Sequence, residues 1–324
     1  MLFRSELPID IIHCHDWQTG LITAYHRTQT SHRSWYRRAA SVMTIHNMAY
    51  QGRFWGPDMV LTGLDWEHFN WQEMEYYGDL NLLKTGLVFA DALTTVSPTY
   101  AQEVQTQPLG CGLEQVLQAR SQRLFGIVNG IDNDAWNPAT DPNLAQNYTR
   151  ETWKTGKAQC KRALQEALGL PLRPDVPVLG IVSRLAEQKG WDLVIQLMQW
   201  WLDHVDVQWA ILGSGEQRYA ERLFQLANQR PDRVCLQTTF SDSLAHRIEA
   251  GSDLFLMPSL YEPCGLNQLY SLRYGTVPVV RATGGLADTI CDATPENIDQ
   301  SIATGFTFQD YTPEALAHAT QRAL

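Results

Sequence analysis

Basic residues are scarce in this sequence relative to acidic ones. The 324 residues include 25 Lys and Arg against 35 Asp and Glu, which gives a formal net charge of −10. Nucleic acids and anionic membrane surfaces are themselves negative, so this balance argues against either as a partner. The chain also lacks a run of about 18 uncharged apolar residues, so no membrane-spanning helix is predicted. Its first residues lack the apolar core and cleavage site of a signal peptide.

Paired cysteines and several nucleotide motifs are missing as well. The six cysteines are scattered, with no C-x-x-C, so we expect free thiols and neither disulfides nor a zinc site. The segment GSGEQR has Arg218 where a dinucleotide fingerprint has its third glycine. No P-loop and no G-x-S-x-G are present, which argues against P-loop hydrolases and α/β-hydrolases. Eleven Trp and twelve Tyr fit core packing, or stacking on sugar faces, and composition does not decide between them.

What the sequence does contain is a repeated strand–loop–helix order, which predicts an α/β fold with doubly wound parallel sheets. In the second half the predicted strands are 178–182, 208–212, 233–237, 253–257 and 277–281. In the first half they are 10–15, 41–46, 92–96 and 124–128, with an irregular region at 50–80. We place the domain boundary close to Gly130, because residues 137–149 have the composition of a linker. The chain begins and ends within this pattern, so we expect it to be truncated at both ends.

Two cations follow the predicted strand 178–182. Arg184 and Lys189 lie five residues apart in a loop at the carboxyl end of that strand, where open α/β sheets bind ligands. A guanidinium and an ammonium that converge on one anion suit a diphosphate. A solvated loop with helix-start charges is the alternative, and position alone favours neither.

A carboxylate and a predicted helix start follow the strand 253–257. The amides of Gly265 and Leu266, beside Cys264, would open a helix and favour a phosphate. Glu262 would be repelled by phosphate, so it is better suited to sugar hydroxyls or to a cationic sugar transition state. An N-cap role is the alternative. Residues Thr283, Gly284 and Gly285 repeat the glycine pattern after the next strand.

Histidines end the first predicted strand. His13 and His15 share one face, and Asp16 follows them. A metal site is a weak interpretation, because strand histidines are more often hydrogen-bonded structural residues. His46 follows the next strand, so Asp16 and His46 should face one crevice from neighbouring strand ends.

Eight motifs occur in a fixed order: HCHDWQTGL, TIHNMAYQG, LLKTGLVFADALTTVSPTYAQE, IVNGID, VSRLAEQKGWDL, LGSGE, PSLYEPCGLNQLYSLRYGTVPVVRATGGLADTI and TGFTF. On these motifs the sequence resembles bacterial glycogen synthases and plant starch synthases, from about residue 9 to about residue 310. The family's K-x-G-G-L motif has no counterpart here, and neither has its C-terminal returning helix.

The resemblance implies a GT-B fold, with two Rossmann-like domains facing a cleft. It assigns 1–128 to an incomplete acceptor-side domain, the starch synthase catalytic domain, and 129–324 to the donor-binding domain. It implies transfer of glucose from ADP-glucose to the non-reducing end of an α-1,4-glucan, with retention and without metal or other cofactor. It implies a cytoplasmic location for a bacterial protein, or a plastid location for a plant one.

The resemblance also implies roles for single residues. Arg184 and Lys189 match the pair on the donor diphosphate, and Glu262 matches the carboxylate facing the transferred glucose. His46 matches a histidine that contacts the glucose, and Asp16 a carboxylate of the acceptor-side cleft wall, and the resemblance implies catalytic roles for both. The remaining donor-side positions are Cys264, Gly265, Leu266, Asn129, Gln188, Phe240, Thr283, Gly284 and Gly285. Phe240 stands where a tyrosine often packs on the adenine. On the acceptor side are Asn47, Trp17 and Tyr50.

Two other functions remain open from the sequence. One is a UDP-glucose-dependent GT-B transferase of the sucrose-synthase kind. The other is a catalytically inactive fragment that binds glucan.

Overall fold

The structure is a computed structural model that describes residues 9–29 and 38–324. The chain forms two compact units, Met1–Val128 and Asn129–Leu324. Among the described residues, no helix combines the length and the apolar character needed to cross a membrane.

The first unit contains a four-stranded parallel sheet and a small antiparallel sheet. Its strands are β1 (Ile11–His15), β2 (Ala40–Ile45), β3 (Arg53–Trp55), β4 (Glu75–Tyr76), β5 (Asp79–Asn81), β6 (Ala92–Thr95) and β7 (Leu124–Gly126). Its helices are α1 (Gly20–Thr28), α2 (Met59–Thr62), α3 (Leu82–Phe89), α4 (Pro98–Glu103) and α5 (Glu114–Ala119). The parallel sheet has the order β1-β2-β6-β7, and the antiparallel one the order β3-β5-β4.

Two sequence predictions for this unit need correction. The sequence predicts a helix over 17–27, but the helix begins only at Gly20, because Trp17–Thr19 forms a tighter 3-10 turn. The region 50–80, predicted to be irregular, contains the antiparallel sheet. Its strands are only two or three residues long, too short for a period-two pattern to be read.

The second unit contains six parallel strands flanked by helices. Its strands are β8 (Val178–Val182), β9 (Gln208–Leu212), β10 (Val234–Gln237), β11 (Leu254–Met257), β12 (Val277–Arg281) and β13 (Phe306–Phe308). Its helices are α6 (Trp153–Leu168), α7 (Trp191–Trp201), α8 (Gln217–Gln229), α9 (Asp242–Gly251), α10 (Asn267–Tyr274), α11 (Gly284–Thr289), α12 (Pro295–Asp299) and α13 (Pro313–Ala323). The predicted strands of this half are confirmed to within one residue.

The order of these strands determines where a ligand can bind. The sheet runs β10-β9-β8-β11-β12-β13, so the chain moves outward from β8 in one direction and then returns to add β11 on its other side. In such sheets the crevice at the carboxyl ends of the two central strands is the usual ligand site. The loops after β8 and β11 therefore meet at this reversal, and they carry Lys189 and Glu262.

The core of the second unit is built on α7, α8 and the sheet. Trp191 and Trp209 are fully buried within it. The sequence predicts a helix over 219–227 with Leu223, Phe224 and Leu226 as its apolar stripe, but the Phe224 side chain is 43% exposed. The buried residues of α8 are Tyr219, Leu223 and Leu226, which recur at helical spacing on one face.

The segment 137–149, predicted to be a linker, is part of the second unit and contacts α9 and α10. The Asp141 carboxylate receives a hydrogen bond from the Tyr274 hydroxyl at 2.6 Å and lies 2.7 Å from His246 Nδ1. The Tyr148 hydroxyl donates to the Tyr274 carbonyl at 2.8 Å. The polar residues of this Pro-rich and Asn-rich segment therefore include Asp141 and Tyr148, which make specific buried contacts instead of forming a flexible linker.

Candidate functional site

An ion pair joins the two central loops of the second unit. Lys189 Nζ lies 2.6 Å from Glu262 Oε2, and the Glu262 side chain is only 7% exposed. A carboxylate with so little access to water is costly unless it is paired, and Lys189 supplies that partner. The sequence prediction that these two groups share one site is thereby met in the geometry.

Ser259 holds the same carboxylate oxygen. Its hydroxyl donates to Glu262 Oε2 at 3.0 Å, and Ser259 is itself buried. Lys189 and Ser259 both donate to the same carboxylate oxygen, Oε2. These two contacts therefore fix the orientation of the Glu262 side chain through Oε2.

The helix after Glu262 begins later than predicted. Gly265 has a φ of +72° and so lies outside the helix, Leu266 is the N-cap, and α10 begins at Asn267. In the part of the chain that the structure describes, the N–H groups of Gly265 and Leu266 donate no hydrogen bond to protein. They are half-buried rather than enclosed. The correction moves the helix boundary but leaves two amides able to bind an anion.

Two glycines let these loops approach closely. A Cβ on Gly190, whose φ is +75°, would lie 2.1 Å from the Pro258 carbonyl oxygen. A Cβ on Gly284 would lie 2.0 Å from the Glu262 carbonyl oxygen. Neither position has room for a side chain, so both glycines bring neighbouring loops against the segment that carries Glu262.

The predicted donor role of the Gly285 amide is not supported. Its N–H donates to the carbonyls of Glu262 and Pro263, each at 3.1 Å. The same loop is buried at Thr283, and Gly284 packs on Glu262. The Thr283–Gly285 segment therefore supports the Glu262 loop, and an amide already paired with protein carbonyls is not available to a phosphate.

Gln188 links the loop after β8 to the loop after β11. The Gln188 side-chain N–H donates to the Tyr261 carbonyl at 3.2 Å, and the Gln188 backbone carbonyl accepts from the Leu260 N–H at 2.9 Å. Arg184 Nη2 donates to Gln188 Oε1 at 3.4 Å, and Arg184 is exposed. The Arg184 guanidinium is thus carried on the same bridged loops as Lys189.

The other predicted donor residues divide into two groups. Asn129 lies beside Cys264, because its backbone hydrogen-bonds the thiol. Burial raises the pKa of the Cys264 thiol, so the thiol stays neutral. Phe240 is 81% exposed in the loop before α9, so the structure shows its ring accessible but not packed within the site.

In the first unit, Asp16 and His46 meet as predicted at neighbouring strand ends. The Asp16 Oδ1 accepts a hydrogen bond from the His46 N–H at 2.8 Å, and Asp16 has a φ of +54°. His46 Nε2 lies 2.9 Å from His15 Nδ1. Burial lowers the pKa of His15, and the neighbouring His13 and His46 lower it further.

The weak metal interpretation of these histidines gains no support. Within residues 9–29 and 38–324, no cluster of three or more His, Cys, Asp or Glu side chains could hold a metal ion. His13 Nε2 is paired with the Thr44 hydroxyl at 2.6 Å. These are hydrogen-bonded structural contacts.

Trp17 and Tyr50 line a cleft of about 580 Å³ on the first unit, together with Phe54 and Arg53. The Trp17 ring packs on Gly52, and its centroid lies 5.8 Å from the centroid of the Phe54 ring. Asn47 Oδ1 accepts from the Ala49 N–H at 3.0 Å, which tightens the turn that presents Tyr50. The predicted acceptor residues are therefore split: Trp17 and Tyr50 line the cleft, while Asn47 shapes the turn.

Sequence reasoning missed three residues that build the donor-side loops. Ser259 orients Glu262, Asn267 Nδ2 donates to the Val182 carbonyl at 2.6 Å, and Gln268 Nε2 donates to the Cys264 carbonyl at 3.0 Å. Each contact joins segments that are not predictable from local spacing. The only sequence feature that pointed to these three residues was their position, as polar side chains between an apolar strand and a helix.

Comparisons with known proteins identify the family. Residues 2–119 match the model of the starch synthase catalytic domain, and residues 168–324 match glycosyl transferases group 1. A glycogen synthase of Rhodopirellula baltica is 52% identical over 322 residues, covering 99% of this chain and 64% of that protein. Glycogen synthase 2 of Geobacter sulfurreducens is 50% identical over 323 residues, covering 100% of this chain and 66% of that protein. The chain thus spans just under two thirds of the length of these relatives.

Solved structures agree. The catalytic domain of starch synthase IV from Arabidopsis thaliana, bound to ADP and acarbose, matches with a TM-score of 0.88 at 35% identity, over 97% of this chain and 65% of that one. A sucrose-phosphate synthase from Thermosynechococcus elongatus matches with a TM-score of 0.58 at 19% identity, over 98% of this chain and 65% of that one, which shows a shared fold only. The chain therefore belongs to the family of bacterial glycogen synthases and plant starch synthases, which are glycosyltransferases of the GT-B fold.

Proposed function

We propose that this chain is the catalytic part of a glucan synthase that transfers glucose from ADP-glucose to the non-reducing end of an α-1,4-glucan, with retention. The observation that carries the proposal is the Lys189–Glu262 ion pair, 2.6 Å long, beside the unpaired amides of Gly265 and Leu266. The cations and amide donors at this sheet edge suit the negative diphosphate of a nucleotide sugar, and the carboxylate suits its sugar. The choice of ADP-glucose is supported by the similar starch synthase IV structure, which is bound to ADP, and the choice of a glucan by the relatives, which are glycogen synthases.

Lys189 can serve the leaving group and Glu262 together. An ammonium has three N–H donors, and one of them is directed to Glu262 Oε2. The remaining two, with the Arg184 guanidinium and the two amides, are donors for diphosphate oxygens. Negative charge grows on the diphosphate as the bond to the sugar breaks, so donors placed there stabilise the transition state more than the ground state.

The carboxylate acts on the sugar side. Glu262 Oε1 accepts hydrogen bonds from glucose hydroxyls and stabilises positive charge on the ring. In the proposed step the acceptor hydroxyl oxygen forms its bond to the anomeric carbon on the face from which ADP leaves. The bond between that carbon and the phosphate oxygen breaks, and the same phosphate oxygen takes the acceptor proton. Configuration is thereby retained without a covalent enzyme intermediate.

The first unit supplies the acceptor side. Asp16 orients the His46 backbone, and the cleft of Trp17 and Tyr50 offers aromatic faces to the C–H-rich faces of a glucan. The proposal includes no metal, since the cations of the chain neutralise the diphosphate. It also includes a cytoplasmic location, which rests on the bacterial glycogen synthases that the chain resembles.

The test removes each cation separately. Arg184→Ala and Lys189→Ala should each lower transfer of labelled glucose from ADP-glucose to glycogen by about a hundredfold or more, because each removes a charge aimed at the leaving group. Arg222→Ala, which removes an exposed guanidinium from α8, is the matched control and should keep normal turnover. Undiminished turnover in either site variant contradicts the proposal.

Two further arms separate the competing functions. Faster transfer from UDP-glucose than from ADP-glucose would support the sucrose-synthase-like function instead. Glucan binding without transfer from either donor would support a non-catalytic glucan-binding protein. Transfer that is unchanged by EDTA is the expected result for a reaction that uses Arg184 and Lys189 in place of a metal.

A further inference from the structure

The side chain of Gln268 donates to two consecutive backbone carbonyls of the loop before α10. Gln268 lies in the first turn of that helix and is fully buried. Its Nε2 lies 3.0 Å from the Cys264 carbonyl oxygen and 3.2 Å from the Gly265 carbonyl oxygen. A primary amide has two N–H donors, so one glutamine can bind both carbonyls. Gln268 therefore fixes two successive peptide units of this loop.

Those two peptide units carry the amides that can bind an anion. The Cys264 carbonyl shares a peptide unit with the Gly265 N–H, and the Gly265 carbonyl shares one with the Leu266 N–H. In a planar trans peptide the C=O and N–H bonds point in opposite directions. Because both carbonyls point to Gln268, both N–H groups are directed away from it. Among the described residues these N–H groups donate to no protein group, so they remain available to a ligand.

A third acceptor determines the orientation of the Gln268 amide. Nε2 also lies 3.1 Å from the Thr289 hydroxyl oxygen, and that hydroxyl donates to the Gly285 carbonyl at 2.6 Å. All three groups around Nε2 accept its hydrogens. Exchanging the nitrogen and oxygen of the amide would place Oε1 against two carbonyl oxygens. The amide therefore has one favourable orientation, with its donors on the loop.

The oxygen of the same amide is buried without a hydrogen-bond partner. Gln268 Oε1 has no donor within hydrogen-bond distance in the part of the chain that the structure describes. An unpartnered buried acceptor is costly, and an apolar side chain of similar length would avoid that cost. The presence of an amide at this position is thus explained by its N–H groups and the two carbonyls that they bind.

The Gln268 amide also packs directly against the loop that it orients. A Cβ on Gly265, whose φ is +72°, would lie 2.6 Å from Gln268 Oε1 and 3.1 Å from Leu286 Cδ2. The position therefore has no room for a side chain, and the amide lies close to the Gly265 backbone. A change in the position of the amide would displace the loop.

We propose that Gln268 is a positioning residue that directs the Gly265 and Leu266 N–H groups to the diphosphate of the sugar donor and of the departing ADP. The inference deepens the proposed function and rests on it for the identity of the nucleotide. Donors that are fixed in advance stabilise the charge that grows on a leaving group without reorganising during the reaction. Gln268 is fully buried, so it acts on the ligand only through these two amides.

The test is isothermal titration calorimetry with inorganic pyrophosphate, ADP and adenosine. Gln268→Met keeps the length of the side chain and removes its donors. It should raise the dissociation constants of pyrophosphate and ADP about tenfold, because the two amides lose their fixed direction. Gln268→Asn shortens the side chain by one methylene, draws the N–H groups back from the carbonyls and should have the same effect. Adenosine has no phosphate, so its binding should be unchanged in both variants.

The matched controls are Gln165→Met and Gln165→Asn. Gln165 is a second buried glutamine of this unit, and its Nε2 donates to the Arg173 carbonyl at 3.2 Å and to Gln208 Oε1 at 2.7 Å. Gln208 begins β9, so this amide lies at the amino end of the sheet, opposite the loops of the donor site. The control variants should bind pyrophosphate as the unchanged protein does, even where urea titrations show a loss of stability.

The outcomes separate this inference from the proposed function. A folded Gln268 variant with unchanged affinity for pyrophosphate and ADP overturns the inference, whether or not glucose is transferred from ADP-glucose. An equal loss of adenosine binding also overturns it, because the whole site is then disturbed. Weaker pyrophosphate binding in the variants of a chain that transfers no glucose supports the inference and contradicts the proposed function. If the unchanged protein binds neither pyrophosphate nor ADP, both are overturned.

Discussion

The Glu262 carboxylate depends on two neighbours for its orientation. Lys189 and Ser259 both bind Oε2, and the side chain has almost no contact with water. Hydrogen bonds to a charged acceptor contribute about 1.5–3 kcal/mol, more than those between neutral groups. Ser259 is therefore a positioning residue, since it contacts the carboxylate but is itself buried behind it.

Loss of the Ser259 hydroxyl should be seen in turnover rather than in donor affinity. Ser259→Ala is expected to lower kcat about tenfold, because Glu262 loses one of two fixed contacts, while the KM for ADP-glucose changes little. Steady-state kinetics with glycogen as acceptor measures both constants. Ser243→Ala, on the partly exposed face of α9, is the control. A raised KM with unchanged kcat would show that Ser259 acts on donor binding instead.

At the scale of elements, the segment after the unit boundary fastens α9 to α10. The Trp136 ring lies between His246 of α9 and Tyr270 of α10, with centroid distances of 3.8 and 3.7 Å and nearly parallel planes. Asp141 contacts His246 and Tyr274, one residue from each of the same helices. Because the Gly265 and Leu266 amides directly precede α10, which begins at Asn267, this segment also fixes the helix that follows them.

The buried Asp141 carboxylate should matter for stability. Burial alone would raise the pKa of Asp141, but hydrogen bonds from Tyr274, the Asn143 N–H and His246 hold it below its usual value. Asp141→Ala leaves those donors without an acceptor and should lower the free energy of unfolding by about 3 kcal/mol. Urea unfolding followed by tryptophan fluorescence measures this. The exposed Asp134→Ala is the control, and equal losses in both variants would contradict the role of Asp141.

At the scale of the whole second unit, a half-buried lysine joins three elements. Lys157 of α6 donates to the Ala250 and Ser252 carbonyls at the end of α9 and to the Thr276 hydroxyl before β12. Burial lowers the pKa of Lys157 to about 8. Burial also raises the pKa of the neighbouring Glu249, whose Oε2 accepts from the Ser271 hydroxyl. The pH of the solution is therefore coupled to the stability of this unit.

The sign of that coupling follows from proton binding. Between about pH 8 and pH 10.5 the unfolded chain keeps the Lys157 proton and the folded chain has released it, so stability rises with pH. We expect the free energy of unfolding, relative to Lys157→Met, to increase by about 2 kcal/mol from about pH 7 to about pH 9.5. Urea titrations at both pH values measure the difference. The control is Lys154→Met, at an exposed position, and its difference in unfolding free energy from the unchanged protein should be the same at both pH values. If the difference for Lys157→Met is also the same at both pH values, the effect of burial on Lys157 is contradicted.

The sequence by itself determined the local features of this protein. Short apolar runs such as 178–182 and 208–212 became strands with those bounds, because a strand buried on both faces needs only consecutive apolar residues. The motifs around Arg184, Lys189 and Glu262 placed those residues in loops after strands, and the parallel order brings such loops to one edge. The ion pair between Lys189 and Glu262 therefore follows from topology that the sequence already indicated.

Only the tertiary structure decided which polar groups are already paired. The Gly285 amide is occupied by the Glu262 and Pro263 carbonyls, and Asp141 and Tyr148 of the segment 137–149 are buried in contacts with α9 and α10. The sequence did not show which aromatic residues are exposed either: Trp71 and Tyr77 face solvent, whereas Trp191 and Trp209 are in the core. Hydrogen-bond partners and burial are set by residues distant in sequence, so composition and spacing, which are local quantities, do not determine them.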